Sequence, residues 1–213
     1  MGAKTSLLAF TDGEVTDMLK DGGHPDETRT DRLLELIHPS SNWNRRPDGT
    51  LADTFPRPPI VYASSRPGLD IVCDLAVSFT RPSTLPTHWI EASQGRRLVT
   101  HSMHSTADRL AFSVWTDGQL ERSLSLGPDD GIYENIGTPM PFEAPYWAGE
   151  HPVEVDDNYP LDSYPLPFHP LELGEHALRA LFGFVLEAVP RPTDIDPTQI
   201  PMLGYEITDT AAQ

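Results

Sequence analysis

Cysteine is nearly missing from this sequence of 213 residues, which contains Cys73 alone. A single thiol excludes a disulfide within the chain and a zinc site built on cysteine ligands. Basic residues are also scarce, with 15 Lys and Arg against 32 Asp and Glu and a formal net charge of −17 at pH 7. We therefore expect neither a nucleic-acid partner, which requires a basic face along the phosphates, nor docking on an anionic membrane.

Long hydrophobic runs are missing too. The longest extends from Leu181 to Leu186, whereas about 20 apolar residues are needed to span a bilayer. The first run, from Leu7 to Phe10, is too short for the core of a secretion signal. We therefore expect a soluble cytoplasmic protein that makes no membrane contact. Its strong preference for Arg over Lys is typical of GC-rich bacterial genomes.

Motifs of the common cofactor sites are also missing, and we expect neither a bound cofactor nor a metal. The glycine-rich segment 127–131 lacks the Gly-Lys-Ser/Thr ending of a phosphate loop and the oxygen ligands of a calcium loop. Its Gly, Pro and Asp residues are explained by a turn. A Rossmann glycine fingerprint and a Gly-x-Ser-x-Gly nucleophile elbow do not occur in the sequence.

What is present fits one folded domain. Hydrophobic residues make up 38% of the chain, which is enough for a packed core, and no repeat of 20–50 residues is visible. We expect a single α+β domain over residues 1–189. Residues 190–213 are rich in proline and are expected to form a C-terminal extension with an edge strand at Leu203, Tyr205 and Ile207.

Hydrophobic spacing predicts the elements of the first half of the chain. Alternation predicts strands at 4–10, at 60–62, at 69–76 and at 97–103. Apolar residues three and four apart predict helices at 15–19 and from about 26 to 37, and a short helix is expected at 84–94. Residues 40–57, with their Asn, Arg and Pro, are interpreted as a loop.

A hairpin is predicted from Arg109 to Leu126, with its turn at Asp117-Gly118. A two-residue loop with regular pairing would place Val114 opposite Glu121, whereas a three-residue loop would place it opposite Leu120. A slip of one residue turns every side chain to the other face of the sheet. We therefore expect the longer loop, with Gly118 left-handed in a bulge; a Trp115–Leu120 pair across a two-residue turn would refute it.

Between residues 139 and 170 the chain combines eight prolines with many aromatic residues. Such a segment cannot be a regular helix or a central strand, yet each aromatic ring can bury about 150–250 Å². We expect an ordered loop over the sheet, followed by a helix with apolar residues at 177, 178, 181, 182 and 185. The predicted fold class is α+β: a mostly antiparallel sheet, helices packed on one side, and this long proline- and aromatic-rich ordered loop.

A cluster of acids and aromatic residues within this part of the chain is the first candidate site. It consists of Glu134, Glu143, Tyr146, Trp147 and Glu150, followed by His151. Carboxylates in an aromatic surround can have raised pKa values and serve as acids or bases. The same residues could instead form the rim of a binding site, or the aromatic rings could fill the core while the acids face water.

Histidines near the hairpin, and one tryptophan, add further candidates. His101 and His104 are spaced for one helix face, but on a strand they point to opposite faces, which argues against a shared metal. His104 and Asp108, with the intervening Ser105, are triad residue types, although near neighbours seldom form a triad. We keep His104 and Asp108 as binding candidates. Trp43, in the predicted polar loop, is a candidate contact residue.

Several long motifs resemble those of a family of actinobacterial proteins known only as a domain of unknown function. They are GAKTSLL at 2–8, HSTAD at 104–108, AFSVW at 111–115, LSLGPD at 124–129, GIYENIG at 131–137, PFEAPYWAGE at 141–150, YPLPFHP at 164–170 and LFGF at 181–184. The resemblance extends over nearly the whole chain. It implies no assigned activity, so no catalytic role is transferred to any residue.

Two functions of different classes are therefore compatible with the sequence. The first is a non-catalytic module that binds a small molecule or a protein, since no catalytic signature is intact. The alternative is a small hydrolase or transferase with acid–base chemistry on Glu134, Glu143, Glu150 and His104. A pocket that holds His104 and at least two of these glutamates would favour the enzyme, whereas an exposed aromatic patch around Trp43 or Trp147 would favour partner binding.

Overall fold

The computed structural model describes residues 2–153 and 164–208, and in these ranges nine strands form one antiparallel sheet. The strands are β1 (Lys4–Thr11), β2 (Asn42–Thr50), β3 (Ile60–Arg66), β4 (Leu69–Cys73), β5 (Arg97–His104), β6 (Arg109–Thr116), β7 (Gln119–Gly127), β8 (Gly131–Gly137) and β9 (Pro201–Thr208). Their order across the sheet is β2-β9-β3-β4-β1-β5-β6-β7-β8. The predicted α+β class with a mostly antiparallel sheet is confirmed.

Five α-helices occur in the same ranges: α1 (Val15–Lys20), α2 (Glu27–Ile37), α3 (Thr87–Ala92), α4 (Ala144–Trp147) and α5 (Pro170–Phe182). Short 3₁₀ turns lie at Leu75–Val77, Pro82–Thr84 and Pro197–Gln199. None of the described helices is long and apolar enough to cross a membrane. Apart from their end residues, the predicted helices near 15, 26 and 84 and the predicted strands at 4, 60, 69 and 97 are confirmed.

The helices cover both faces of the sheet, so the expectation that they pack on one side is wrong. Leu7 and Ala9 of β1 share one core cluster with α1 and α5. Leu8 and Phe10 of the same strand share a second cluster with α2 and α3. Alternate residues of a strand point to opposite faces, and here both sets are apolar and buried. The continuous run from Leu7 to Phe10 is typical of a central strand that is covered on both sides.

The hairpin of β6 and β7 has a two-residue turn, so the predicted three-residue loop is wrong. Trp115 pairs with Leu120, while Asp117 and Gly118 both have positive φ, at 51° and 73°. Two positive φ values are typical of a type I′ turn, which matches the twist of the strands. The pairing then shifts by one residue, because Val114 lies opposite Arg122. The bulge places the apolar residues of β6 opposite those of β7, for example Phe112 opposite Leu124. The longer loop was expected to produce the same alignment.

Residues 42–50 form the edge strand β2, so the interpretation of 40–57 as a loop is wrong for this part and holds for 51–57. Most of these side chains are exposed, and they show no alternation of polar and apolar residues. The strand is specified by backbone pairing with β9 instead, with an irregularity between Arg46 and Gly49 that accommodates Pro47. Proline and charged residues are typical of edge strands.

The predicted C-terminal strand exists as β9, but it does not lie at an edge. It pairs with β2 on one side and with β3 on the other. Met202 and Tyr205 are fully buried in the two core clusters. The C-terminal segment therefore completes the sheet that the first 189 residues begin, and the expected edge position is wrong.

Part of the proline- and aromatic-rich segment can be described. Tyr146 and Phe168 are fully buried against the helix α5 side of the sheet, while Phe142 and Trp147 are partly buried against the same cluster. Residues 154–163, with Tyr159, lie outside the described residues. The helix that follows begins at Pro170, where the His169 side chain accepts a hydrogen bond from the Leu171 N–H at 3.3 Å.

Candidate functional site

Two of the three glutamates predicted as acid–base groups, Glu134 and Glu143, are engaged in structural contacts. Glu134 on β8 is 6% exposed. Its carboxylate accepts hydrogen bonds from the backbone N–H of Ser83 at 3.0 Å, from the Ser83 hydroxyl at 2.5 Å, and from the Ser123 hydroxyl. These contacts attach the 3₁₀ turn at 82–84 to the sheet. They leave little of the carboxylate free for a substrate.

Glu143 is fully buried and forms an ion pair with Arg122 of β7, whose side chain is 2% exposed. The guanidinium donates twice, with Nε at 2.8 Å from Oε1 and Nη2 at 2.6 Å from Oε2. The backbone N–H of Met140 and the indole N–H of Trp147 also donate to this carboxylate, at 2.8 and 3.1 Å. Four donors saturate Glu143, so it holds the segment around α4 on the sheet.

Tyr146 and Trp147 lie on α4, and their rings pack against Phe168 with centroid separations of 5.2 and 5.0 Å. The Tyr146 hydroxyl is 2.9 Å from Nδ1 of His176. Burial raises the pKa of this phenol far above its ordinary value. Glu150 is exposed just beyond the helix. Next to this predicted cluster, His151 lines a cavity, whereas Tyr146 is fully buried.

His104 and Asp108 flank the turn between β5 and β6, but they contact different groups. His104 lines a small cavity of about 250 Å³ together with Phe55, Arg109 and Leu110, and none of the predicted glutamates reaches this cavity. Burial, followed by the charge of Lys4, lowers the pKa of His104. Asp108 faces His169 instead, at 3.9 Å. The cavity that His104 lines thus contains none of the glutamates with which it was grouped.

Trp43 on β2 is partly buried, and it packs against the cluster that includes α2. Its indole N–H donates to Asp31 at 3.3 Å. Apolar partners from α2 and β9 cover much of the ring, so an exposed aromatic patch does not form around this residue.

The most developed polar site combines His38 and Asp74, which the sequence analysis did not single out. His38 follows the last residue of α2, and its backbone N–H donates to the Leu34 carbonyl at 2.7 Å. Asp74 follows β4, where it begins the 3₁₀ turn at 75–77. The two side chains meet with His38 Nε2 at 2.5 Å from Asp74 Oδ2.

Asp74 is held by contacts on three sides. Its Oδ1 accepts from the Ala76 N–H at 2.9 Å, its carbonyl oxygen accepts from the Ser6 hydroxyl at 2.5 Å, and its own N–H donates to the Ser6 carbonyl at 3.1 Å. An ionised carboxylate only accepts hydrogen bonds, so the shared proton belongs to Nε2 of His38. In the neutral ring Nδ1 is then an acceptor, and no hydrogen bond joins it to a described residue.

This histidine–aspartate pair lies in a cleft of about 430 Å³. The cleft is lined by Pro58, Pro59, Ile60, Val61, Leu75, Ala76 and Ile207 in addition to His38 and Asp74. Its other walls are therefore apolar side chains from β3, β9 and the 3₁₀ turn. The side chains of His38 and Asp74 are 16% and 7% exposed.

No described part of the chain brings together three His, Cys, Asp or Glu side chains as metal ligands. His101, one of the two histidines weighed as a metal ligand, is fully buried, with Nδ1 at 2.8 Å from the Thr5 hydroxyl and Nε2 at 3.0 Å from the Gly174 carbonyl. Burial lowers the pKa of His101 to about 4. Both of its nitrogens are used inside the protein.

Little in the sequence could have identified the cleft. His38 and Asp74 are 36 residues apart, and neither belongs to a recognisable motif. The one available signal is position, since each follows directly after an apolar segment that ends at Ile37 or at Cys73. The fold brings these two ends together by packing α2 against β3 and β3 against β4.

The comparisons with known proteins add a family without an assigned activity. A family model described as a family of unknown function (DUF6928) matches residues 5–205. No curated protein and no solved structure matches the chain.

Proposed function

Because the chain belongs to DUF6928, a family of unknown function, we propose its function from the cleft itself: it binds a small, largely apolar molecule that carries one hydrogen-bond donor. The family match covers nearly the whole chain, as the sequence motifs indicated. The protein would then be a ligand-binding module, with its site in the cleft of His38 and Asp74.

The observation that carries the proposal is the unused Nδ1 of His38. The opposite nitrogen is fixed by Asp74 at 2.5 Å, and Asp74 is itself fixed by Ala76 and Ser6. A partly buried acceptor that is held in place and has no hydrogen bond to a described residue is unfavourable unless water or a ligand satisfies it. A hydroxyl or an amide N–H of a ligand would complete this arrangement.

The shape and chemistry of the cleft support the same class of ligand. Its volume of about 430 Å³ lies within the range of about 300–1,000 Å³ that is usual for small-molecule sites. Apolar walls with a single oriented polar group favour a ligand with an apolar body and one donor. The formal charge of −17 on the protein disfavours a strongly anionic ligand at this cleft.

An enzyme remains the second candidate, because a histidine oriented by a carboxylate can act as a general base. This candidate moves the acid–base role from the predicted glutamates to His38, with Asp74 as the orienting residue. The described residues that line the cleft include no Ser, Thr, Cys or Lys, so a covalent intermediate on a residue of that lining is disfavoured. The base would instead act on the bound molecule or on water.

A matched pair of probes tests the proposed function. p-Cresol offers a hydroxyl donor, whereas 4-methylanisole has nearly the same apolar body without a donor. We expect p-cresol to shift the imidazole ¹⁵N signals of His38 in a saturable way and to bind about tenfold more tightly than the ether, the effect of one hydrogen bond. Equal binding of the two probes would contradict the role of Nδ1.

Two histidine variants locate the effect. His38→Gln should remove the preference for p-cresol, whereas His24→Gln, the same change at an exposed loop position, should leave it intact. Loss of the preference in both variants would place binding elsewhere. Asp74→Asn separates the two candidates, because a general base loses turnover when its orienting carboxylate is removed, whereas a binding site loses affinity alone.

A further inference from the structure

A second cavity lies on the opposite face of the sheet, beside α5, and it has a different character. Its volume is about 360 Å³, and its walls are Phe142, Pro145, His151, His176, Arg179, Ala180 and Arg191. Four of these seven residues carry nitrogen donors that are positively charged or can become so. Such a concentration is unusual in a chain that has more than two acidic residues for each basic one.

The two histidines of this cavity are held close together by the surrounding structure. The ring centroids of His151 and His176 are 5.7 Å apart, with the ring planes nearly perpendicular. The His151 ring stacks on Tyr146 at 4.2 Å, and its Nδ1 is 2.6 Å from Glu172. The Nδ1 atom of His176 is 2.9 Å from the Tyr146 hydroxyl. The Nε2 atoms of both rings form no hydrogen bond with any residue in 2–153 or 164–208.

The two arginines differ in how far their charges are neutralised. Arg179 on α5 donates to Asp194 at 3.1 Å and to the Val189 carbonyl at 2.8 Å, so its charge is paired. The backbone N–H of Arg191 also donates to Asp194, at 2.8 Å, which fixes the backbone at this residue. The Arg191 guanidinium, in contrast, forms no ion pair with a described residue. It is exposed at the cavity.

We propose that this cavity binds the phosphate group of a small phosphomonoester, with His151, His176 and Arg191 as donors. The three groups come from three separate segments around one cavity, which suits an anion with three terminal oxygens better than a planar carboxylate with two. Phosphate is commonly bound by arginine and protonated imidazole through charge-assisted hydrogen bonds. Phe142, Pro145 and Ala180 supply an apolar wall for the organic part.

The charges around the cavity make binding dependent on pH. Besides the three donors, Arg179 lines the cavity. Tyr146, Glu172 and Asp194 are in contact with the lining residues His176, His151 and Arg179. With both imidazoles neutral, the two arginines balance the two carboxylates. Burial, then the neighbouring Arg179, lowers the pKa of His176. A bound anion favours the protonated rings, so affinity should increase as the pH falls.

Calorimetric titration of the full chain with phenyl phosphate tests the proposal, with benzoate as a planar carboxylate of similar size. We expect saturable binding of phenyl phosphate and binding of benzoate that is about tenfold weaker or more. Arg191→Gln should weaken phenyl phosphate about tenfold, as expected for the loss of one charged hydrogen bond. Because the Arg191 side chain is exposed, the variant should keep the wild-type circular dichroism and melting temperature.

A matched control and a second anion complete the test. Arg29→Gln removes another exposed arginine, on α2 at the other face of the sheet, and should leave the affinity unchanged. Sulfate, whose charge is constant between pH 6 and 8, should bind more tightly at the lower pH. Equal losses in the two arginine variants, benzoate binding as tight as that of phenyl phosphate, or sulfate affinity that does not vary with pH would each overturn the proposal.

Discussion

Two polar regions of this protein differ in how many of their hydrogen-bonding atoms find a partner within the protein. In the interior near α5, His101 uses both ring nitrogens, and Glu143 receives four hydrogen bonds from Arg122, Met140 and Trp147. In the cleft on the other side, His38 uses one nitrogen, and its other nitrogen has no hydrogen bond to any residue in 2–153 or 164–208. A buried group with every bond made within the protein acts as a structural element. A fixed group with one bond left open is a candidate for function.

The sequence favoured the glutamates as functional residues, whereas hydrogen bonding in the structure favours His38 and Asp74. Glu143 and Glu134 lie in long motifs among aromatic residues, whereas His38 and Asp74 lie at the ends of unremarkable segments. The distinguishing property is the number of partners available to each polar atom after folding. Three predictions test whether the two regions really differ in this way.

The largest effect is expected for Glu143→Gln. The neutral side chain would leave the Arg122 charge buried without its counterion, which costs about 3–5 kcal/mol when one partner of a buried pair is removed. Urea denaturation followed by circular dichroism measures this loss in the free energy of unfolding. The double variant Arg122→Met with Glu143→Gln should recover part of it, because the unpaired charge is then gone. A stability of Glu143→Gln equal to that of the wild type would show that this carboxylate is not structural.

A smaller effect is expected from the titration of His101. Its pKa is lowered to about 4 in the folded protein from an ordinary 6.5, so between these values the unfolded chain binds the proton more tightly. Its contribution to stability is therefore fully present above pH 6.5, decreases as the pH falls, and is lost by about pH 4. The full change is about 3 kcal/mol, at about 1.4 kcal/mol per pKa unit.

Denaturation of the wild type and of His101→Gln across this pH range isolates that contribution. The variant should be less stable at neutral pH, because Thr5 and Gly174 lose their imidazole partner. Its stability should nevertheless fall less steeply below pH 6.5. Parallel pH curves for the two proteins would mean that His101 accepts a proton as easily in the folded state as in the unfolded one.

The smallest effect is expected for Glu150→Gln. This carboxylate was a candidate because of its motif, but it is exposed beyond α4. Substitutions at such surface positions usually change stability by less than about 0.5 kcal/mol. The melting temperature and the affinity for p-cresol should both match those of the wild type. A clear loss of binding would restore the predicted glutamate cluster as a functional site.

Much of the fold could be predicted from local sequence. The strands that contain Leu7 and Val99, the helix after Asp26 and the turn at Asp117-Gly118 all follow from hydrophobic spacing and turn chemistry. The loop length of the hairpin could not be predicted, because a bulge and a longer loop correct the register equally well. Edge strand β2 escaped prediction because exposed side chains on both faces give no alternating pattern.

The candidate sites were harder to predict than the fold. The sequence indicated the surroundings of Tyr146 and His151, and His151 lines the cavity beside α5, but it did not single out His176 or Arg191, which line the same cavity. The paired groups of the other cleft, His38 and Asp74, gave no signal at all. A hydrogen bond between residues 36 positions apart depends on how α2, β3 and β4 pack, and local patterns do not encode that packing directly.

The sequence by itself determined the α+β class, most element positions and an acidic composition, since these depend on side-chain periodicity and on counts of residues. The tertiary structure alone decided that helices cover both faces, that β9 lies inside the sheet, and which polar atoms are left without a partner. The physical reason is that burial and hydrogen-bond satisfaction are properties of contacts between distant segments. Both ring nitrogens of His101 have partners inside the protein, whereas at His38 only Nε2 has a partner among the described residues. This difference depends on what the fold places beside the second nitrogen.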